Sequence, residues 1–166
     1  MLHENLRLLK FFILGISLQV LFFEAWDFFG YIDPIFYILF LLIYKFDKPQ
    51  TQFILLSFSL GLIIDILTQN PGSNTISCLV IGYIRPFLIN FSFGINADIS
   101  NGMVSGTRIK NRVLFAGSVI LIHHLIYFSI SYFSFFAYLT ILKNTILTSL
   151  LTSALMLITF GFISKR

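Results

Sequence analysis

Of the 166 residues, 57% are hydrophobic and only 11% charged, with a mean hydropathy of +0.91, whereas a soluble domain carries about 25% charged residues. Such a chain belongs in lipid. At roughly 20 residues per crossing its length holds five or six helices and leaves no room for a soluble domain. The net charge of +4 and the pI near 9.3 come from residues beside apolar runs, so they report orientation in a membrane rather than binding to nucleic acid.

Six apolar runs are predicted, at about 8–23, 28–44, 53–68, 75–91, 113–136 and 145–163. They make an all-α integral membrane protein, a six-helix transmembrane bundle. Their continuous apolarity excludes a β-barrel, whose strands alternate. The first run follows Arg7 and Lys10, lacks a small-residue cleavage site, and passes directly into Glu24-Ala25-Trp26-Asp27; it reads as a retained helix. Gly15 and Gln19 lie on it as a packing and a polar contact. The second run is the short one. Between Asp33 and Lys45 lie 11 residues, about 17 Å of helix against a hydrocarbon core of about 30 Å. Asp33-Pro34 looks like a helix start. Two readings follow: a short span with Trp26, Phe28, Phe29 and Tyr31 in an outer aromatic belt, or a re-entrant segment.

In the third run Ser57, Gly61 and Asp65 fall four apart, placing small and polar groups on one helix face. Cys78, Gly82 and Arg85 form a similar stripe on the fourth, where Pro86 should bend the helix. Cys78, the single cysteine, excludes an internal disulfide or multi-thiolate metal site and reads as a packing residue. A tight Asn70-Pro71-Gly72 turn joins the two helices. Asp65 and Arg85 then differ in depth by about 7 Å, which predicts a buried pair or shared network. A partner's transmembrane helix is expected against one of these stripes.

His123 and His124 sit mid-way along the fifth run. Adjacent residues point about 100° apart, so the two cannot share a metal; interhelical hydrogen bonding is the expected role, as for Asn144, Thr148 and Thr152 in the sixth. Residues 92–111, with Gly94, Gly102 and Gly106, read as a cytoplasmic loop. Lys45, Lys48, Arg108, Lys110, Arg112, Lys165 and Arg166 fall on one side of a six-span chain and only Lys143 on the other, predicting that both termini are cytoplasmic. Neither a G-x-S-x-G elbow nor a P-loop occurs. Ser73 and Ser77 lack the context of an intramembrane protease. No enzyme activity, cofactor or metal is expected.

Three stretches resemble the bacterial rod shape-determining MreD family: Gln19-Val20-Leu21 with residues 29–40 (Phe-Gly-Tyr-Ile-Asp-Pro-Ile-Phe-Tyr-Ile-Leu-Phe); Gly61-Leu62-Ile63-Ile64-Asp65 with the Asn70-Pro71-Gly72 turn; and Tyr83-Ile84-Arg85-Pro86. His123-His124 is similar to one branch of that family, and the order and spacing extend the resemblance over nearly the whole chain. Gln19, Pro34, Asp65, Arg85 and Pro86 occupy the matching positions. The resemblance implies a non-enzymatic scaffold of cell-wall elongation in the cytoplasmic membrane. The partners it implies are MreC, the actin-like MreB, and RodA with its transpeptidase; self-association stays open. It also implies a fold similar to the substrate-capture subunits of energy-coupling vitamin transporters. That makes such a subunit the alternative reading, although the first helix lacks the Ala-x-x-x-Ala series used there for docking.

Overall fold

The computed structural model describes residues 2–23, 34–46, 48–94 and 108–163. The predicted aromatic belt of Trp26, Phe28, Phe29 and Tyr31, the acidic connection of Glu24, Asp27 and Asp33, and most of the loop predicted to be cytoplasmic lie outside the described residues.

The described residues are helical, with no strand among them. Helix α1 (Leu2–Leu18) closes with a turn of π-helix at Gln19–Phe23, and α2 is Ile38–Ile43. The long helices follow: α3 (Gln50–Thr68), α4 (Ser73–Phe93), α5 (Ile109–Tyr132) and α6 (Tyr138–Ile163). Among the described residues four helices are long and apolar enough to cross a membrane: α3, α4, α5 and Tyr138–Gly161 of α6. Their outer faces show bare apolar side chains such as Ile66, Phe87, Leu121 and Leu150, as lipid-facing surfaces do. Helix α6 begins several residues before the predicted run because Lys143, exposed on its outer face, interrupts the apolarity without interrupting the helix.

Neighbouring elements run antiparallel. Phe23 stacks on Phe36 at 5.4 Å and Phe12 meets Phe40 at 5.2 Å, so α1 and the following segment run in opposite directions. Ser131 near the end of α5 bonds Ser73 at the start of α4, and Phe93 packs on Phe115 at the opposite end. Asn144 near the start of α6 reaches back to Tyr132. Leu2 of α1 and Ile163 of α6 therefore lie at the same end of the bundle, together with Lys45, Lys48, Arg108, Lys110 and Arg112.

The second predicted span needs correction. Its helix has six residues, about 9 Å long at 1.5 Å each. Ile35–Leu42 and Tyr44 are all buried, so this stretch presents no lipid face; it is the central core of the molecule. Tyr37 bonds Asn74 and Tyr44 bonds Arg85, so the segment runs beside α4 in the same direction. Its uninterrupted apolarity has the cause expected for a fully enclosed segment: every side faces other side chains.

Candidate functional site

The candidate site is a buried polar network around residues 34–45 and the α3–α4 hairpin. It begins at the turn. Gln69 adopts the left-handed conformation (φ 55°) that stops α3, and the Asn70 N–H returns to the Asp65 carbonyl at 3.0 Å. Gly72 supplies the second left-handed position at φ 96°, which costs glycine little. The reversal lays the first turn of α4 over the Asp65 side chain. Gly61 allows the approach: a Cβ there would stand 2.6 Å from the Asn74 carbonyl oxygen and the Thr75 Cα.

Asp65, 5% exposed, thus caps the helix that follows its own. Its carboxylate accepts the N–H groups of Asn74 (3.1 Å) and Thr75 (2.7 Å), the Asn74 amide (2.9 Å), and the Thr75 hydroxyl. The first N–H groups of a helix have no intrahelical acceptor, and the N-terminal end of the dipole favours a negative charge.

Arg85, 2% exposed, does the converse. Its guanidinium donates to the carbonyls of Tyr44 and Lys45, which follow α2, and lies over the rings of Phe53 (4.2 Å), Phe46 (5.0 Å) and Tyr44 (5.3 Å). Two main-chain carbonyls just past the end of α2 and three ring faces hold the cation. The expected Asp65–Arg85 pair is therefore not made. Asp65 sits at the level of Asn74, and the 11 residues from there to Arg85 span about 16 Å. Asp65 meets the start of a helix instead, and Arg85 meets the main-chain carbonyls that follow one.

Pro86 stands inside α4 and has no N–H to give the carbonyl of Gly82, four residues earlier. The Gln50 side chain at the start of α3 donates to that carbonyl. This bond was not foreseen; the sequence signal for it was an amide side chain at the start of the helix preceding a proline-bearing one.

Two further chains of bonds start at the histidines. The Tyr37 hydroxyl donates to Asn74 Oδ1 at 2.6 Å and lies 3.1 Å from His123 Nε2. Since the hydroxyl hydrogen goes to Asn74, Nε2–H of His123 is the donor, and its buried Nδ1 has no partner among the described residues. Cys78 Sγ lies 3.8 Å from the same Nε2. His124 takes the opposite tautomer: Nδ1–H donates to the Ile120 carbonyl at 2.7 Å, so Nε2 accepts from the Thr152 hydroxyl at 3.3 Å. Thr152 in turn accepts the Ile35 N–H at 3.2 Å, and Gln19 Oε1 accepts the Phe36 N–H at 2.7 Å. The histidines thus bond between elements, as expected, and so do Asn144 and Thr152. Thr148 does not: its buried hydroxyl has no partner among the described residues.

The small-residue stripes have a different use from the one expected. Gly61 faces Asn74 and Thr75; Gly82 faces Ser57 and Ile54, where a Cβ would lie 3.3 Å from Ser57 Cβ. The stripes of α3 and α4 cover each other, with Ser57 and Cys78 fully buried, so they offer no face to a partner helix. A Cβ on Gly15 would lie 3.5 Å from the Tyr37 Cα, an ordinary packing distance. Tyr37, Asn74, Thr75 and Gln50 are the members of the network that sequence reasoning missed. Tyr37 sat in an apolar run, and Asn74 and Thr75 read as turn residues.

The network fixes geometry. Ser77 bonds the Ser73 carbonyl and Ser131 bonds the Ser73 hydroxyl, so neither serine is aligned with a histidine. Among the described residues no three His, Cys, Asp or Glu side chains converge as a metal site would need. Compared with family models, curated proteins and solved structures, the chain matches none.

Proposed function

We propose that the chain is a non-enzymatic scaffold of bacterial cell-wall elongation, acting in cell shape determination. It sits in the cytoplasmic membrane with its basic end and both termini inside, alongside MreC, MreB, and RodA with its transpeptidase. One observation supports this reading above the others. Four of the five positions that match the MreD resemblance serve a single structural purpose: Gln19, Asp65, Arg85 and Pro86 all act on the seat of residues 34–45 or on the hairpin beside it. Polar positions that hold a bundle in one shape suit a protein whose product is a surface presented to partners.

The test is a mild-detergent pull-down of the tagged full chain from its native membranes, with partners identified by mass spectrometry. Recovery of MreC and the elongation synthases is expected. Recovery of an ATPase pair with a coupling membrane subunit would overturn the reading in favour of a transporter's substrate-capture subunit.

A further inference from the structure

We propose that the groove between α5 and α6, at the basic end of the bundle, binds an anionic phospholipid of the surrounding bilayer. Its acyl chain would lie in the groove and its phosphate against the first turn of α5. This does not depend on the scaffold reading.

The groove holds about 290 Å³ and is walled by Val113, Ala116, Gly117, Ser153, Met156 and Phe160, with Arg112 at its basic end. Two glycines line it, and no contact among the described residues requires them. A Cβ on Gly117 or on Gly161 would meet no atom of the described residues within 4 Å. At Gly61 it would strike backbone. Glycine inside a helix costs about 1 kcal/mol relative to alanine, so glycines facing empty space point to something outside the chain that fills it.

The charge identifies that occupant. Arg108 and Lys110, both exposed, and Arg112 cluster at the start of α5. That first turn has no acidic residue and no side-chain cap from Arg108. Basic clusters at the cytoplasmic mouths of interhelical grooves recognise anionic headgroups, and a helix N-terminus adds its own partial positive charge. A partner helix would need a continuous small-residue face on one helix. Here the small residues come from two helices and line a slot, open to lipid along one side and positive at one end. An apolar chain with a negative head fits that shape.

Native mass spectrometry of the purified full chain tests this, with dioleoyl phosphatidylglycerol or the phosphatidylcholine of the same chains added to neutral detergent. Phosphatidylglycerol should be retained at least fivefold better. Arg112→Gln and Lys110→Gln should each lower its retention by about fivefold, from roughly 1 kcal/mol per basic residue near the headgroup. Gly117→Leu, which fills the groove, should remove most of the retained lipid at an unchanged unfolding temperature. Equal retention of the two lipids would overturn the proposal. So would undiminished phosphatidylglycerol binding in Arg112→Gln, or in Gly117→Leu where that variant folds.

Discussion

An ionised side chain inside a membrane must be neutralised locally, and the usual expectation is an oppositely charged partner. Asp65 and Arg85 take the other route. The carboxylate uses four donors at the start of α4, and the guanidinium uses the carbonyls after α2 and three aromatic rings. Among the described residues the two groups share no bonding partner. Asp65→Asn and Arg85→Gln should then each destabilise by about 1–3 kcal/mol, and the double variant should equal their sum within about 0.5 kcal/mol. Unfolding in mixed micelles measures this; a larger coupling would mean that the two charges interact after all. The residue types were legible in the sequence, since an Asp and an Arg in apolar runs demand an explanation. Their partners were not, because helix ends are backbone features that leave no mark in residue identity.

At the scale of the element, the α3–α4 hairpin is set by one proline, one glutamine and two glycines. Gln50→Ala should cost about 1–2 kcal/mol by leaving the Gly82 carbonyl unsatisfied in a dry environment. In a Pro86→Ala background the restored N–H can return to that carbonyl, so the Gln50 substitution should cost almost nothing there. A thermal-unfolding double-mutant cycle checks it, and equal costs in both backgrounds would refute the link. The glycines should differ. A Cβ at Gly61 meets backbone at 2.6 Å, while at Gly82 the first contact is the Ser57 side chain at 3.3 Å. Gly61→Ala should cost about 1–3 kcal/mol through overpacking, and Gly82→Ala clearly less; the same unfolding assay ranks them. The spacing Ser57–Gly61–Asp65 marked a packed face correctly. It could not say that the neighbour is the next helix of the same chain rather than a partner's helix.

Across the whole molecule, the alternating directions of six elements bring the described basic residues near α2, α3 and α5 to one end, with Lys143 at the other. If that end is cytoplasmic, Ser73→Cys in a Cys78→Ala background, buried at the opposite end, should react with a membrane-impermeant maleimide outside whole cells only after mild denaturation, whereas Pro71→Cys at the exposed turn should react at once. Cysteines at Lys48 or Lys110 should stay protected until the membrane is opened. Labelling of Lys48→Cys in intact cells would reverse the orientation.

The sequence by itself determined the class of the molecule. Continuous apolar runs of helical length fixed α1 and α3 to α6 to within a few residues at most ends, and the distribution of lysine and arginine predicted the alternation that the packing reproduces. Only the tertiary structure decided what residues 34–44 are. An apolar run looks the same whether lipid or protein surrounds it, since both are equally apolar. The difference lies in burial from every side, and burial is a property of the assembled bundle. The same holds for the network: Tyr37, Asn74 and His123 are distant in sequence, and only the folding of the buried segment against α4 and α5 brings their polar atoms within bonding distance.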